Sequence, residues 1–195
     1  MQFVVLSSSR GTTFQAVLDR IADGSLTAQC LGLVSDREDR GCVSKARAAG
    51  ISVAIVERTA GEDREKYDQK LYTTITNFST DPTLVIAAIG WMFILSPGLV
   101  SRFHGRILNV HPALLPKHPG GHAIRDALAA GDEESGMTIH VIDEGVDTGP
   151  ILVQKKCSVI QGESDESLKE KIQELEKEWY PKVLQMIEWG EITLP

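Results

Sequence analysis

The sequence predicts an α/β protein built on a doubly wound, mostly parallel sheet with flanking helices. Three observations carry this prediction. Short apolar runs rich in Val, Ile and Leu alternate with helix-period stretches along the 195 residues, which is the pattern of βαβ units. The most hydrophobic run, Thr83 to Ile89, reads as a central strand covered on both faces. Asn109, His111 and Asp147 fall where predicted strands end, and open α/β sheets bind their ligands at such ends.

Composition narrows the function. Hydrophobic residues make up 42% of the chain and charged residues 24%, enough for the core of one large domain. No repeat or linker divides it, so residues 1–195 form a single domain. The net charge of −7 excludes a basic nucleic-acid surface, yet it allows a locally positive pocket for an anionic small substrate. Cys30, Cys42 and Cys157 are odd in number and form no C-x-x-C pair. That suits a reducing cytoplasm and fits neither a disulfide framework nor a zinc site. Met1 leads straight into a strand-like run without a signal peptide, and no apolar run approaches the ~20 residues of a membrane helix. A cytoplasmic protein with neither a membrane nor a nucleic-acid partner is expected.

The elements follow in order. Gln2 to Leu6 is a buried strand, Ser7 to Thr13 a small-residue turn, and Phe14 to about Ala22 a helix with Thr12 or Thr13 as N-cap. Strand, turn and helix in this order aim free N–H groups at a phosphate. With one glycine and no P-loop spacing, a hydroxyl-rich cap on an ordinary helix is the plainer reading. Cys30 to Val34 is a second strand, Gly41 to Ala49 a helix closed by Gly50, and Ile51 to Val56 a third strand. From Ala60 a charged loop enters a helix reaching Phe78, with Tyr67, Leu71 and Ile75 on one face. Arg64 stands near its start as a solvated surface cation. After the central strand, the apolar loop Gly90 to Pro97 either caps the core or lines a pocket for a flat aromatic ligand. Pro97 to Phe103 is a short helix.

Ile107 to Val110 is a strand that His111-Pro112 ends, since proline lacks the ladder N–H. Pro112, Pro116 and Pro119 with Gly120-Gly121 keep the next stretch stiff and non-helical. A helix from His122 to Ala130 ends at Gly131, and a strand spans Met137 to Ile142. A glycine-flanked turn then carries Asp147, and Pro150 to Cys157 is a further strand. Ser164 to about Trp189 is a long amphipathic helix, with a kink or break expected near Tyr180 because of Pro181.

The chemistry gathers between Ile107 and Pro150. All five histidines lie from His104 to His140, but their spacing matches no ligand pattern and H-E-x-x-H is absent; no metal is expected. No G-x-S-x-G elbow supports a serine nucleophile. Asn109 supplies an amide donor, His111 an imidazole and Asp147 a carboxylate. Together they suit an oxyanion, a proton and a group to orient the proton carrier. Singly, they are a strand-end cap, a packed histidine and a turn aspartate.

The run Asn109-Val110-His111-Pro112-Ala113-Leu114-Leu115-Pro116, with Asp147 in a D-x-G-P turn, resembles the folate-dependent formyltransferases, and the likeness covers nearly the whole chain. The resemblance implies a Rossmann-like formyltransferase fold and 10-formyltetrahydrofolate as co-substrate. It also implies direct attack by an amine without metal or covalent intermediate. Its nearest branch formylates glycinamide ribonucleotide in purine synthesis. Asn109 would then stabilise the oxyanion, His111 would transfer the proton and Asp147 would hold His111 charged. Gly11, Thr12 and Thr13 would cradle the phosphate, and Glu176 would bind the ribose hydroxyls. Arg64, Met92, Phe93, Ile94 and Leu95 would line the folate site. Residues 1–100 become the nucleotide-binding half, and residues 101–195 the catalytic and folate-binding half with the C-terminal helix. The chain departs from the family pattern at Ser9, Thr13 and Phe93, where glycine, asparagine and arginine are usual. The altered phosphate turn also suggests an amino-sugar nucleotide as acceptor. A non-catalytic folate- or nucleotide-binding module is the reading from another class. Either a monomer or a homodimer fits.

Overall fold

The computed structural model describes Met1–Pro195, and its apolar runs assemble into one seven-stranded sheet. The elements are β1 (Gln2–Leu6), α1 (Thr12–Ala22), β2 (Gln29–Ser35), α2 (Gly41–Ala48), β3 (Val53–Ile55), α3 (Arg64–Phe78) and β4 (Val85–Ala88). They continue as α4 (Pro97–Arg102), β5 (Ile107–His111), α5 (Ala123–Ala130), β6 (Glu134–Val141), β7 (Ile151–Ser158) and α6 (Asp165–Glu188). Across the sheet the order is β3-β2-β1-β4-β5-β6-β7. Pairing is parallel from β3 through β5 and antiparallel for β5–β6 and β6–β7. The predicted central strand is β4, fourth of seven, with every residue buried.

The alternation of side chains along β1 shows why helices cover both faces. Phe3 and Val5 pack into one cluster with Phe14 and Val17 of α1, Cys42 of α2, and Leu168 and Tyr180 of α6. Val4 and Leu6 point the other way, into a cluster with Tyr67, Leu71 and Ile75 of α3 and Leu99 of α4. All four β1 residues are fully buried, each apolar side chain contributing roughly 1.5–3 kcal/mol. Tyr180 is also fully buried, and its hydroxyl donates to the Leu108 carbonyl at 3.1 Å, tying α6 to β5.

The sheet order places β2 on one side of β1 and β4 on the other, so connections leave in opposite directions and a crevice opens between their carboxyl ends. The Ser8 N–H donates to the Gly90 carbonyl at 3.1 Å and joins the two loops at that point.

Two expectations are corrected. α1 begins at Thr12, and neither Thr12 nor Thr13 caps it; the N-cap is Gly11, in the left-handed region at φ 74° and with no side-chain cap. A Cβ at Gly11 would also come within 2.9 Å of the Cys42 Cα, so glycine is demanded by backbone and by space. The second correction concerns Pro181, where no break occurs: α6 runs unbroken from Asp165 to Glu188. Proline gives up its N–H bond and crowds the carbonyl four residues back, and the buried neighbours Tyr180, Val183 and Leu184 hold the helix together against that cost. The start of α6 is as expected, with the Ser164 hydroxyl accepting from the Ser167 N–H at 3.2 Å. β6 starts earlier than predicted, at Glu134 and not Met137, because its antiparallel ladder with β7 continues to the Glu134–Ser158 pair.

Candidate active site

A cavity of about 610 Å³ occupies the crevice. Of the residues singled out by sequence, Gly11, Thr12, Thr13, Met92, Phe93, Ile94, Leu95, Asn109, Asp147 and Glu176 all line it. Two do not. Arg64 is the first residue of α3, exposed, and outside the lining. His111 is buried and outside the lining, with its Nδ1 3.3 Å from the Asp147 carboxylate that lines it.

One end of the cavity is polar. The first helical bond of α1 runs from the Gln15 N–H to the Gly11 carbonyl, so earlier amides at this helix start lack helical partners. The turn before it is braced: the Ser9 hydroxyl accepts from the Gly11 N–H at 3.1 Å and lies 3.0 Å from the Ser7 hydroxyl. Arg10 and Lys169 bring positive charge to the same end. Opposite them, Glu176 of α6 accepts from the Thr13 hydroxyl at 2.8 Å. Burial pushes the Glu176 carboxyl up to about 7, with the Thr13 bond and the Lys169 charge opposing.

The other end is apolar and aromatic. In the loop after β4, Trp91 stacks on Tyr67 with centroids 6.4 Å apart, and Phe93 meets both rings edge-on, at 5.2 and 5.8 Å. The Arg58 guanidinium lies 5.6 Å from the Phe93 centroid and 5.7 Å from that of Tyr67. Met92 and Ile94 are 70% and 61% exposed at the rim, apolar surface that an occupant of the cavity would cover. The Ser96 hydroxyl caps α4 where this loop ends.

Between the two ends stand the groups able to do chemistry. Asn109 and His140 face one another across the β5–β6 ladder, and the Asn109 Nδ2 lies 3.1 Å from the His140 Nε2. Asp147, in a left-handed turn at φ 55°, places one carboxylate oxygen 3.3 Å from the His111 Nδ1 and the other 3.4 Å from the His140 Nε2. The Gly120 N–H donates to Asp147 at 2.8 Å. The Asp147 carboxyl is held below its usual range, first by the His140 ring when that ring donates to it, then by the Gly120 N–H and the charge on His111, against the cost of burial. The far nitrogen of His111, Nε2, donates to the His118 carbonyl at 2.8 Å. His118 itself sits at φ 53° with its Nε2 2.8 Å from Asp132.

The loop carrying Pro112 and Pro116 is pinned to the sheet. Thr138 donates to the Ala113 carbonyl at 2.6 Å and accepts from the Leu115 N–H at 3.1 Å, and Gln154 donates to the Leu115 carbonyl at 2.7 Å. An amide donor, a carboxylate and two imidazoles are thus held between a polar and an apolar compartment. Such a set can stabilise an oxyanion and move a proton between two substrates.

Sequence reasoning singled out neither His140 nor Thr138. Both were legible in the alternation Met137-Thr138-Ile139-His140-Val141, where two polar residues share the face opposite three buried apolar ones.

Comparison with known proteins agrees with this geometry. The family model described as formyl transferase matches residues 1–184. A phosphoribosylglycinamide formyltransferase of Escherichia coli (strain K12) is 36% identical over 194 residues, spanning 100% of this chain and 90% of the relative. One from Mycobacterium tuberculosis is 40% identical over 176 residues, 90% of this chain and 80% of its own. The crystal structure of glycinamide ribonucleotide transformylase 1 from Symbiobacterium toebii superposes with a TM-score of 0.93 at 31% identity, covering 100% of this chain and 91% of that one. The family match over residues 1–184 and the relatives matched along nearly the whole chain place it in the formyl transferase family, as a folate-dependent formyltransferase enzyme.

Proposed function

We propose that this enzyme transfers the formyl group of 10-formyltetrahydrofolate to the amine of glycinamide ribonucleotide, in the cytoplasm, as a step of purine synthesis. The observation that carries the reading is the position of Asn109 and Asp147 between the two ends of one cavity. The polar end, with the α1 start, Arg10 and Glu176, suits a phosphorylated ribose: backbone N–H groups and cations for the phosphate, a carboxyl for the sugar hydroxyls. The apolar end, with Met92, Phe93, Ile94 and Leu95, suits a flat pterin. Arg64 lies outside the cavity lining and would meet only the outer part of a long folate.

The chemistry follows from the groups between. The substrate amine attacks the formyl carbon, and the carbonyl oxygen becomes an oxyanion. A preorganised amide such as that of Asn109 stabilises such a charge by about 3 kcal/mol. The tetrahedral intermediate collapses by breaking the bond to the folate nitrogen. That nitrogen gains a proton while the incoming amine loses one, so no net proton is consumed. His111, with its Nδ1 3.3 Å from the Asp147 carboxylate, is the carrier, and general acid help of this kind contributes typically ~10²–10⁴-fold. Its Nε2–H must first exchange the His118 carbonyl for the reacting nitrogen.

The test is acceptor choice. Purified protein with 10-formyltetrahydrofolate is offered glycinamide ribonucleotide or, separately, an amino-sugar nucleotide. Turnover with the first alone is expected. Turnover with the second alone would replace the acceptor, and binding of both ligands without turnover would reduce the cavity to a binding module.

A further inference from the structure

We propose that His140 is a positioning residue that holds the Asn109 amide in its donor orientation, and that it does so only while its ring is neutral. The inference rests on the proposed reaction for its catalytic consequence but not for its geometry.

The ring's own bonds determine its tautomer. The His140 Nδ1 lies 3.0 Å from the Val141 carbonyl oxygen, and a carbonyl can only accept, so Nδ1 carries a hydrogen. In the neutral ring Nε2 is then a lone pair. Two groups approach it: the Asn109 Nδ2 at 3.1 Å and an Asp147 carboxylate oxygen at 3.4 Å. The lone pair attracts the first and repels the second. It therefore fixes which way the Asn109 amide faces, with one N–H spent on His140 and the other left for an oxyanion. An amide turned over would oppose its carbonyl oxygen to the same lone pair.

Protonation reverses each preference. A charged ring donates from Nε2, so it pulls toward the Asp147 carboxylate and favours the Asn109 oxygen over its nitrogen. The same event strips the amide of its orientation and competes with His111 for Asp147. His140 is 1% exposed, so its bonds within the protein dominate its orientation. The charged and titratable neighbours are few. β5 supplies His111, which meets the same carboxylate, and the turn after β6 supplies Asp147. The paired β7 residue is Ile151, without charge. α6 presents Glu176 and Lys169 to the same cavity, and Asp143 follows β6.

Three measurements test the proposal. Long-range proton–nitrogen NMR on the resting protein reads the tautomer without any substrate. Hydrogen on Nδ1 of His140 is expected, and hydrogen on Nε2 alone would overturn the proposal. Kinetically, His140→Leu should lower kcat about tenfold or more with KM little changed, while His140→Gln, which keeps an acceptor and cannot charge, recovers most of that loss and removes the acid-side fall that follows the ring's titration by NMR. In an Asn109→Ala background, His140→Leu should cost nothing further, because it acts through Asn109. Losses that multiply, or no recovery with glutamine, would overturn it. Failure of the wild-type protein to transfer formyl would sink the proposed function alone, and the tautomer would still decide the hydrogen-bond arrangement.

Discussion

Glu176 offers a perturbation whose size follows from the structure. Its carboxyl is pushed by burial from 4.5 up to about 7. Below 4.5 both folded and unfolded chains hold the proton, and the residue contributes nothing to pH dependence. Between 4.5 and about 7 the unfolded chain releases it first, so stability declines as pH rises. Above 7 the penalty is constant, at most about 3 kcal/mol from 1.36 kcal/mol per unit. Because the side chain faces a cavity open to water, screening reduces this to about 1–2 kcal/mol. Glu176→Gln retains an oxygen to accept from the Thr13 hydroxyl and cannot charge. The variant should match the wild type near pH 4 and exceed it at pH 8 by about 1–2 kcal/mol, a Tm gain of roughly 2–8 °C for a chain of this size. Thermal melts across that pH range check it, with the difference curve cancelling titrations common to both proteins. A flat difference curve, or a variant less stable at pH 8, would refute the assignment of a buried, proton-retaining carboxyl.

Other outcomes follow from the same geometry. Gly11→Ala forces a Cβ to within 2.9 Å of the Cys42 Cα at φ 74°; a loss of about 1–3 kcal/mol is expected in chemical denaturation, with a raised KM for the phosphorylated acceptor. Phe93→Ala removes the ring that meets both Tyr67 and Trp91; it should raise the KM for the folate by roughly 5–10-fold, from the ~1 kcal/mol of an aromatic pair, with kcat little changed. Asp147→Asn keeps an acceptor for the Gly120 N–H but takes the charge from His111; kcat should fall on the order of 10²-fold or more, read by steady-state kinetics at fixed saturation.

Much of this molecule was legible in its residues because the signals were local. Buried strands read as short Val- and Ile-rich runs, and β1 was delimited correctly because Gln2 and Ser7 flank four residues buried on both faces. Asn109 and Asp147 were legible because strand ends in an α/β sheet are where polar groups become functional. What escaped was non-local. The role of His140 depends on its pairing with Asn109 across β5 and β6, a register no spacing reveals. The caps at Thr12 and Thr13 were expected from hydroxyl preference, but close packing against Cys42 selected Gly11 in a left-handed turn. A kink or break was expected near Tyr180; the helix does not break there, and burial of Tyr180, Val183 and Leu184 holds it together across Pro181. His111 was expected to transfer the proton; it lies outside the cavity lining, with its Nε2 on the His118 carbonyl.

The most direct test of the central claim, that the amide of Asn109 stabilises the charge formed during formyl transfer, is the turnover of Asn109→Ala. Release of deformylated folate is followed with and without glycinamide ribonucleotide, alongside the wild type. The wild type should release it only when the acceptor is present. The variant should bind both substrates with little change and lose about 10²–10³-fold in kcat, the share one oxyanion donor supplies. Turnover of the variant near that of the wild type would contradict the account.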